Sequence, residues 1–194
     1  MEISEVFRKT AETKIFLKFD PFKKEVKEIK IDTQVGFFNH MLELFAYHSG
    51  IGLFLKAEGD IEVDFHHLVE DVGIVLGEAI LKALGDRKGI TRYGEATIPM
   101  EEALTQAVID LAKRPYLHFD VKFPTEKIGN FDTELIEEFF RALVFNARFT
   151  LHIRNFYGKN SHHIAESVFK AFAHAFKKAI TLADTEVFST KGVL

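Results

Sequence analysis

The chain has 194 residues and 22.2 kDa, with 47% apolar and 28% charged residues, ordinary values for a globular protein with room for a proper core. It contains no cysteine, which excludes a disulfide scaffold, a thiolate metal site and a cysteine nucleophile. The net charge of −4 speaks against a general nucleic-acid binder, no apolar run reaches the length of a membrane span, and no secretory signal is visible, so a cytoplasmic location is expected.

In chain order, Lys14–Phe19 alternates Ile15, Leu17 and Phe19, and Glu28–Ile31 puts Ile29 and Ile31 on one face; both read as strands. Phe37–His48 has apolar residues at helical spacing, with Gly50 as a stop. Ile51–Ala57 and Ile61–Asp64 read as strands. Asp64 then caps a helix that runs to Leu84 and ends at Gly85. Strands are predicted at Thr91–Pro99 and Tyr116–Phe123; Thr105–Leu111 has a composition that suits a helix, but its alternation and the repeat favour a strand. A helix follows at Glu134–Asn146, a strand at Phe149–Arg154, and a last helix at Asn160–Leu182.

These elements repeat. Asp64–Leu84 (DFHHLVEDVGIVLGEAILKAL) aligns without a gap on Asn160–Ile180 (NSHHIAESVFKAFAHAFKKAI). His66, His67, Glu70 and Val72 fall on His162, His163, Glu166 and Val168. A second pair of segments places His40 over Glu138, and Leu53 and Leu55 over Leu151 and Ile153. The expected fold class is therefore α+β, with two repeated half-domains, residues 1–97 and 98–194, sharing one core. Each half is a small mixed sheet with helices packed on one face.

The doubled HHxxE motif carries the chemistry. His66 and Glu70 are four residues apart on a helix, so they share a face and can grip one metal ion. His67 lies about 100° round the axis and does not easily reach the same ion. Each helix start therefore suits two ions, or one ion and one hydrogen-bond partner. If the two starts meet, His66, Glu70 and His163 form one set, and His162, Glu166 and His67 the other. His40 and Glu138 could each add a fourth ligand. Imidazole and carboxylate without sulfur suit Mn, Fe, Co, Ni or Zn. His118, His152 and His174 lie outside this pattern and read as strand or helix-surface residues.

Further segments give the chain a family resemblance: RKTAET at Arg8–Thr13, GFFNHML at Gly36–Leu42, ALGDRKGITRYG at Ala83–Gly94, PMEEAL at Pro99–Leu104, RPYL at Arg114–Leu117, TELIEEFFRAL at Thr133–Leu143 and STKGVL at Ser189–Leu194. With both HHxxE segments, the chain resembles imidazoleglycerol-phosphate dehydratase over essentially its whole length. The resemblance implies half-domains like the second domain of ribosomal protein S5 and two Mn2+ ions per active site. It implies His40, His67, His162 and Glu166 as one ligand set, and His66, Glu70, His163 and Glu138 as the other; position 138 is His in some members. Glu12 and His48 match positions that face the substrate. Arg92, Arg114, Ser189, Thr190 and Lys191 match the phosphate site, where forked and point cations suit a dianion. A homo-oligomer is implied, a 24-subunit shell built from trimers, with active sites between subunits.

The implied activity is that of a lyase of histidine biosynthesis, converting D-erythro-imidazoleglycerol phosphate to imidazole acetol phosphate. The C–H proton lost is not next to a carbonyl, so it is poorly acidic. The expected solution is a dimanganese-bound imidazolate that expels the side-chain hydroxyl, with Glu12 as acid/base group and His48 as the second candidate. Two readings of other classes compete. A two-metal hydrolase of a phosphorylated small molecule would use similar ligands. A noncatalytic nucleic-acid module would use the fold alone, against the acidic balance of the chain.

Overall fold

The computed structural model describes residues 1–183. Ser189, Thr190 and Lys191 lie outside the described residues. The first half runs β1 (Ser4–Lys9), β2 (Thr13–Asp20), β3 (Lys30–Asp32), α1 (Gly36–Ser49), β4 (Gly52–Gly59), α2 (His66–Leu84). The second runs β5 (Tyr93–Met100), β6 (Ala103–Asp110), β7 (Tyr116–Asp120), a small hairpin β8 (Lys127–Ile128) and β9 (Phe131–Asp132), α3 (Glu134–Ala147), β10 (Thr150–Tyr157), α4 (Ser161–Ala179). Hairpin aside, the two series are the same. So are the sheets: β1-β2-β4-β3 and β5-β6-β10-β7, antiparallel except for the last pair of each. The second series starts at Tyr93, so residue 97 lies inside β5.

Alternation builds the strands. Ile15, Leu17 and Phe19 on β2, and Ala103, Thr105, Ala107 and Ile109 on β6, all turn inward. The helices pack crosswise between halves. Each helix lies on its own sheet, while α2 meets α3 and α1 meets α4. The α2–α3 contact is backbone to backbone. A Cβ on Gly73 or Gly77 would lie 2.7 Å from the Phe139 or Leu143 carbonyl oxygen, so only glycine permits this approach. The α1–α4 contact uses rings instead: Phe45 stacks on Phe172 at 4.9 Å and meets Phe176 edge-on. Ile15, Leu17, Phe19, Phe45, Ala107, Ile109, Phe139, Leu143, Phe172 and Phe176 all join one core cluster.

Several boundaries differ from the sequence reading. Ile61–Asp64 is a turn, not a strand: Val63 donates its N–H to the Asp60 carbonyl and is exposed. β7 ends at Asp120 because the chain then leaves β10, its only partner in the sheet. β3 runs Lys30–Asp32, set by pairing with Phe54–Lys56. β1 and the β8–β9 hairpin were not anticipated.

Arg87 fastens the two halves. It is fully buried and donates to the carbonyls of Leu111 (2.8 Å), Arg148 (2.7 Å) and Ala147 (2.6 Å). Two of these acceptors lie at the C-terminal end of α3, where a cation meets the negative end of the helix dipole. Burial lowers its pKa to about 10, which still leaves it charged at neutral pH. Arg87→Met is expected to lower unfolding free energy by about 3 kcal/mol, because three carbonyls each lose a partner at about 1 kcal/mol. Urea unfolding of the variant measures it; an unchanged midpoint would deny Arg87 this role.

Candidate metal centre and active site

The HHxxE helices start alike. The Asp64 carboxylate accepts from the His66 N–H at 2.7 Å, and the Asn160 side chain accepts from the His162 N–H at 2.9 Å. Asn160 is the N-cap of α4, whereas Asp64 stands one residue before Phe65, the N-cap of α2; each side chain still satisfies an orphan N–H and brings both histidines out at the helix mouth.

Three histidine–carboxylate clusters result among the described residues: His40 with His162 and Glu166, His67 with Glu12 and Asp60, and His163 with Glu101 and Glu102. The first joins α1 to α4. Nε2 of His40 lies 3.1 Å, and Nε2 of His162 3.0 Å, from the same Glu166 oxygen, Oε1. The other oxygen, Oε2, accepts from Lys170 at 2.6 Å. Burial alone would raise the Glu166 pKa, but hydrogen bonds from Lys170 and then His40, with the Lys170 charge, hold it at about 2. Two imidazole nitrogens and one buried carboxylate oxygen within 4.8 Å of one another form a donor set that fits a hard-to-borderline divalent ion such as Mn2+.

In the second cluster, Nδ1 of His67 meets Asp60 Oδ2 at 3.0 Å, and Nε2 lies 3.8 Å from Glu12 Oε1. In the third, Nδ1 of His163 meets Glu102 Oε2 at 2.7 Å. The hydrogen bond to Asp60 raises the His67 pKa, and that to Glu102 raises the His163 pKa. His66 faces Glu70 at 3.8 Å, one turn along α2. Glu138 pairs with Arg141 at 3.6 Å. No cluster among the described residues joins His66 or His67 to His162 or His163. The chain thus brings together His40, His162 and Glu166, and leaves His67, His163 and the His66–Glu70 pair apart from them.

His48 lies two turns beyond His40 on α1, with its ring 5.2 Å from that of His174 on α4. Burial, then the neighbouring His174 and Lys170, lower its pKa. Arg92 is buried and grips Asp110 with two nitrogens, at 2.7 and 3.0 Å; the exposed Arg114 reaches the same carboxylate at 3.1 Å. Asp110 thus gathers the two arginines. It, Lys170, Asp60 and Glu102 were missed from the sequence. Only Lys170 left a trace there, as the cation four residues after Glu166.

A model of the imidazoleglycerol-phosphate dehydratase family matches residues 33–176. The chain belongs to the imidazoleglycerol-phosphate dehydratase family. Relatives of that name from Clostridium kluyveri and Streptococcus sanguinis are 52% and 54% identical, each covering 100% of both chains. The crystal structure of the Staphylococcus aureus dehydratase superposes with a TM-score of 0.85 at 43% identity, over 94% of this chain and 100% of that one. The complexed enzyme from Pyrococcus furiosus superposes at 0.84 and 35% identity, over 97% and 100%. The dehydratase is thus a hydro-lyase of histidine biosynthesis. This favours neither the hydrolase nor the nucleic-acid reading. No helix among its described residues is long and apolar enough to cross a membrane.

Glu166 also carries a pH dependence. Its folded pKa of about 2 lies below the ordinary 4.5, so its contribution to stability is present above pH 4.5 and is lost as the pH falls from there through 2. In metal-free dehydratase, Glu166→Gln is expected to remove on the order of 3 kcal/mol of acid-sensitive stability. Chemical unfolding at pH 7 and pH 3 measures it; equal losses at both would refute the assignment.

Proposed function

We propose that the dehydratase converts D-erythro-imidazoleglycerol phosphate to imidazole acetol phosphate at a two-manganese site. The observation that carries this reading is the convergence of His40, His162 and Glu166 through Nε2, Nε2 and Oε1. His67 would complete that set, and His66, Glu70, His163 and Glu138 would form the other. When bound, the two ions would supply Lewis-acid contacts to the two nitrogens of the substrate imidazole.

The protein's own groups then have separate tasks. Glu12 takes the carbon-bound proton at Oε1, the oxygen nearer His67. The hydroxyl next to the ring leaves with a proton as water, and the resulting enol becomes the ketone. His48 is the second candidate for this proton; its lowered pKa keeps the ring neutral and able to accept. Arg92, Arg114, Ser189, Thr190 and Lys191 would hold the phosphate. Lys170, paired with Glu166 at 2.6 Å, keeps that carboxylate ionised. A phosphorylated substrate does not cross a bilayer unaided, so we place the enzyme in the cytoplasm with it.

We also propose that the site is shared between copies, in a 24-subunit shell built from trimers. The support is the separation of His67 and His163 from the ligands they would join. Half-domains 1–97 and 98–194 would each lend one HHxxE helix.

Metal-stripped enzyme is expected to turn over imidazoleglycerol phosphate only after Mn2+ is restored. Glu12→Gln should then cost about 10²–10⁴-fold in kcat with Mn2+ saturating. Turnover without metal would overturn the two-manganese reading, and normal turnover by the variant would remove Glu12 from its role.

A further inference from the structure

In both halves the second histidine of the HH pair is held by a carboxylate at Nδ1: His67 by Asp60 Oδ2 at 3.0 Å, His163 by Glu102 Oε2 at 2.7 Å. The first histidines differ, since His66 and His162 turn Nε2 to the glutamate one turn on. A carboxylate accepts but does not donate, so in the neutral ring it fixes the proton on Nδ1 and leaves the Nε2 lone pair free. A metal ion binding at Nε2 requires that tautomer and that ring orientation.

The two carboxylates do not come from equivalent places in the repeat. Glu102 is the last residue before β6, where Glu12 stands before β2. Asp60 is the first residue after β4, where Gly158 stands after β10. The hairpin carboxylate therefore holds the ring in the second half, and the loop after the strand does so in the first. Gly158 leaves no room for the other arrangement, because a Cβ there would lie 2.5 Å from Cγ1 of Ile164. The Glu102 carboxylate is itself fixed by backbone donors, whereas Asp60 is tied at its backbone and its Oδ1 is buried without a partner. Glu102 Oε1 accepts from the backbone N–H groups of Lys159 (3.0 Å) and Asn160 (2.8 Å). Asp60 donates its N–H to the Glu12 carbonyl at 3.2 Å.

We infer that Asp60 and Glu102 are positioning residues that set His67 and His163 with Nε2 toward a metal ion, and that Asp60, by taking this task, leaves the Glu12 carboxylate free on the Nε2 side of His67. The inference rests on the two-metal reading above. It accounts for the divergence of two hairpin glutamates in equivalent places: one braces a ligand, and the other stands 3.8 Å from a ligand's outer nitrogen.

The test is Mn2+ binding to the metal-free, full-length enzyme in its native assembly, with unbound Mn2+ counted by its electron paramagnetic resonance signal. The variants are Asp60→Asn, Asp60→Ala, Glu102→Gln and Glu102→Ala. Each alanine is expected to weaken one of two Mn2+ equivalents by about 10–100-fold and to spare the other. The near-isosteric amides keep an acceptor oxygen and the fold, and should fall between alanine and wild type. Unchanged affinity in the variants, or equal weakening of both equivalents, would overturn the positioning role while the two-metal reading stands. A wild-type enzyme that binds no Mn2+ would overturn the two-metal reading itself, and the positioning role with it.

Discussion

A carboxylate with so little exposure as Glu166 cannot remain ionised without partners, and its partners define the rest of the site. Lys170 neutralises one oxygen, and two imidazoles from different helices meet the other. That arrangement requires α1 and α4 to lie side by side in a fixed register. The register is set away from the polar cluster, where Phe45 stacks on Phe172 and packs against Phe176. The phenylalanine-rich core is thus a positioning device. The crosswise pairing of helices explains why each half needs the other: α1 belongs to the first sheet, yet its histidine serves a carboxylate on α4.

Duplication explains what the two halves share, and packing explains where they part. Both keep the capped HHxxE helix and the four-stranded sheet. They differ at the helix contacts, where Gly73 and Gly77 bring α2 against the α3 backbone while aromatic rings separate α1 from α4. A backbone contact fixes helix spacing without side-chain bulk. A ring contact leaves a wider seam, and it is on this seam that His40, His162 and Glu166 converge. His48 and His174 lie farther along the same pair of helices.

Much of this was legible in the sequence because period and repeat are local signals. The strand alternation of Ile15, Leu17 and Phe19, the helix stop at Gly50 and the doubled HHxxE need no knowledge of distant residues. β1 was missed because its six residues bury only Ser4 and Val6, too few inward positions to register as alternation. The two-residue strands β8 and β9 carry no period. Ile61 and Val63 mimicked a strand but have no neighbour to pair with. Within the site, the ligand types were readable, but their partition among clusters was not. Asp60, Glu102 and Asp110 gain meaning only from partners 7, 61 and 18 residues away. The acidic PMEEAL motif offered no cue that one glutamate would turn to His163.

Consecutive residues on a helix point in different directions. His66 and His67, like His162 and His163, project about 100° apart, so one ion cannot collect both. The first histidine of each pair faces the glutamate of its own helix. The second is turned away and held by Asp60 or Glu102. Under the shared-site proposal, the Nε2 atoms of His67 and His163 would serve an incomplete set on another copy, such as His40, His162 and Glu166. An ion held this way would link two copies, so that metal binding, assembly and the completion of the active site become a single equilibrium.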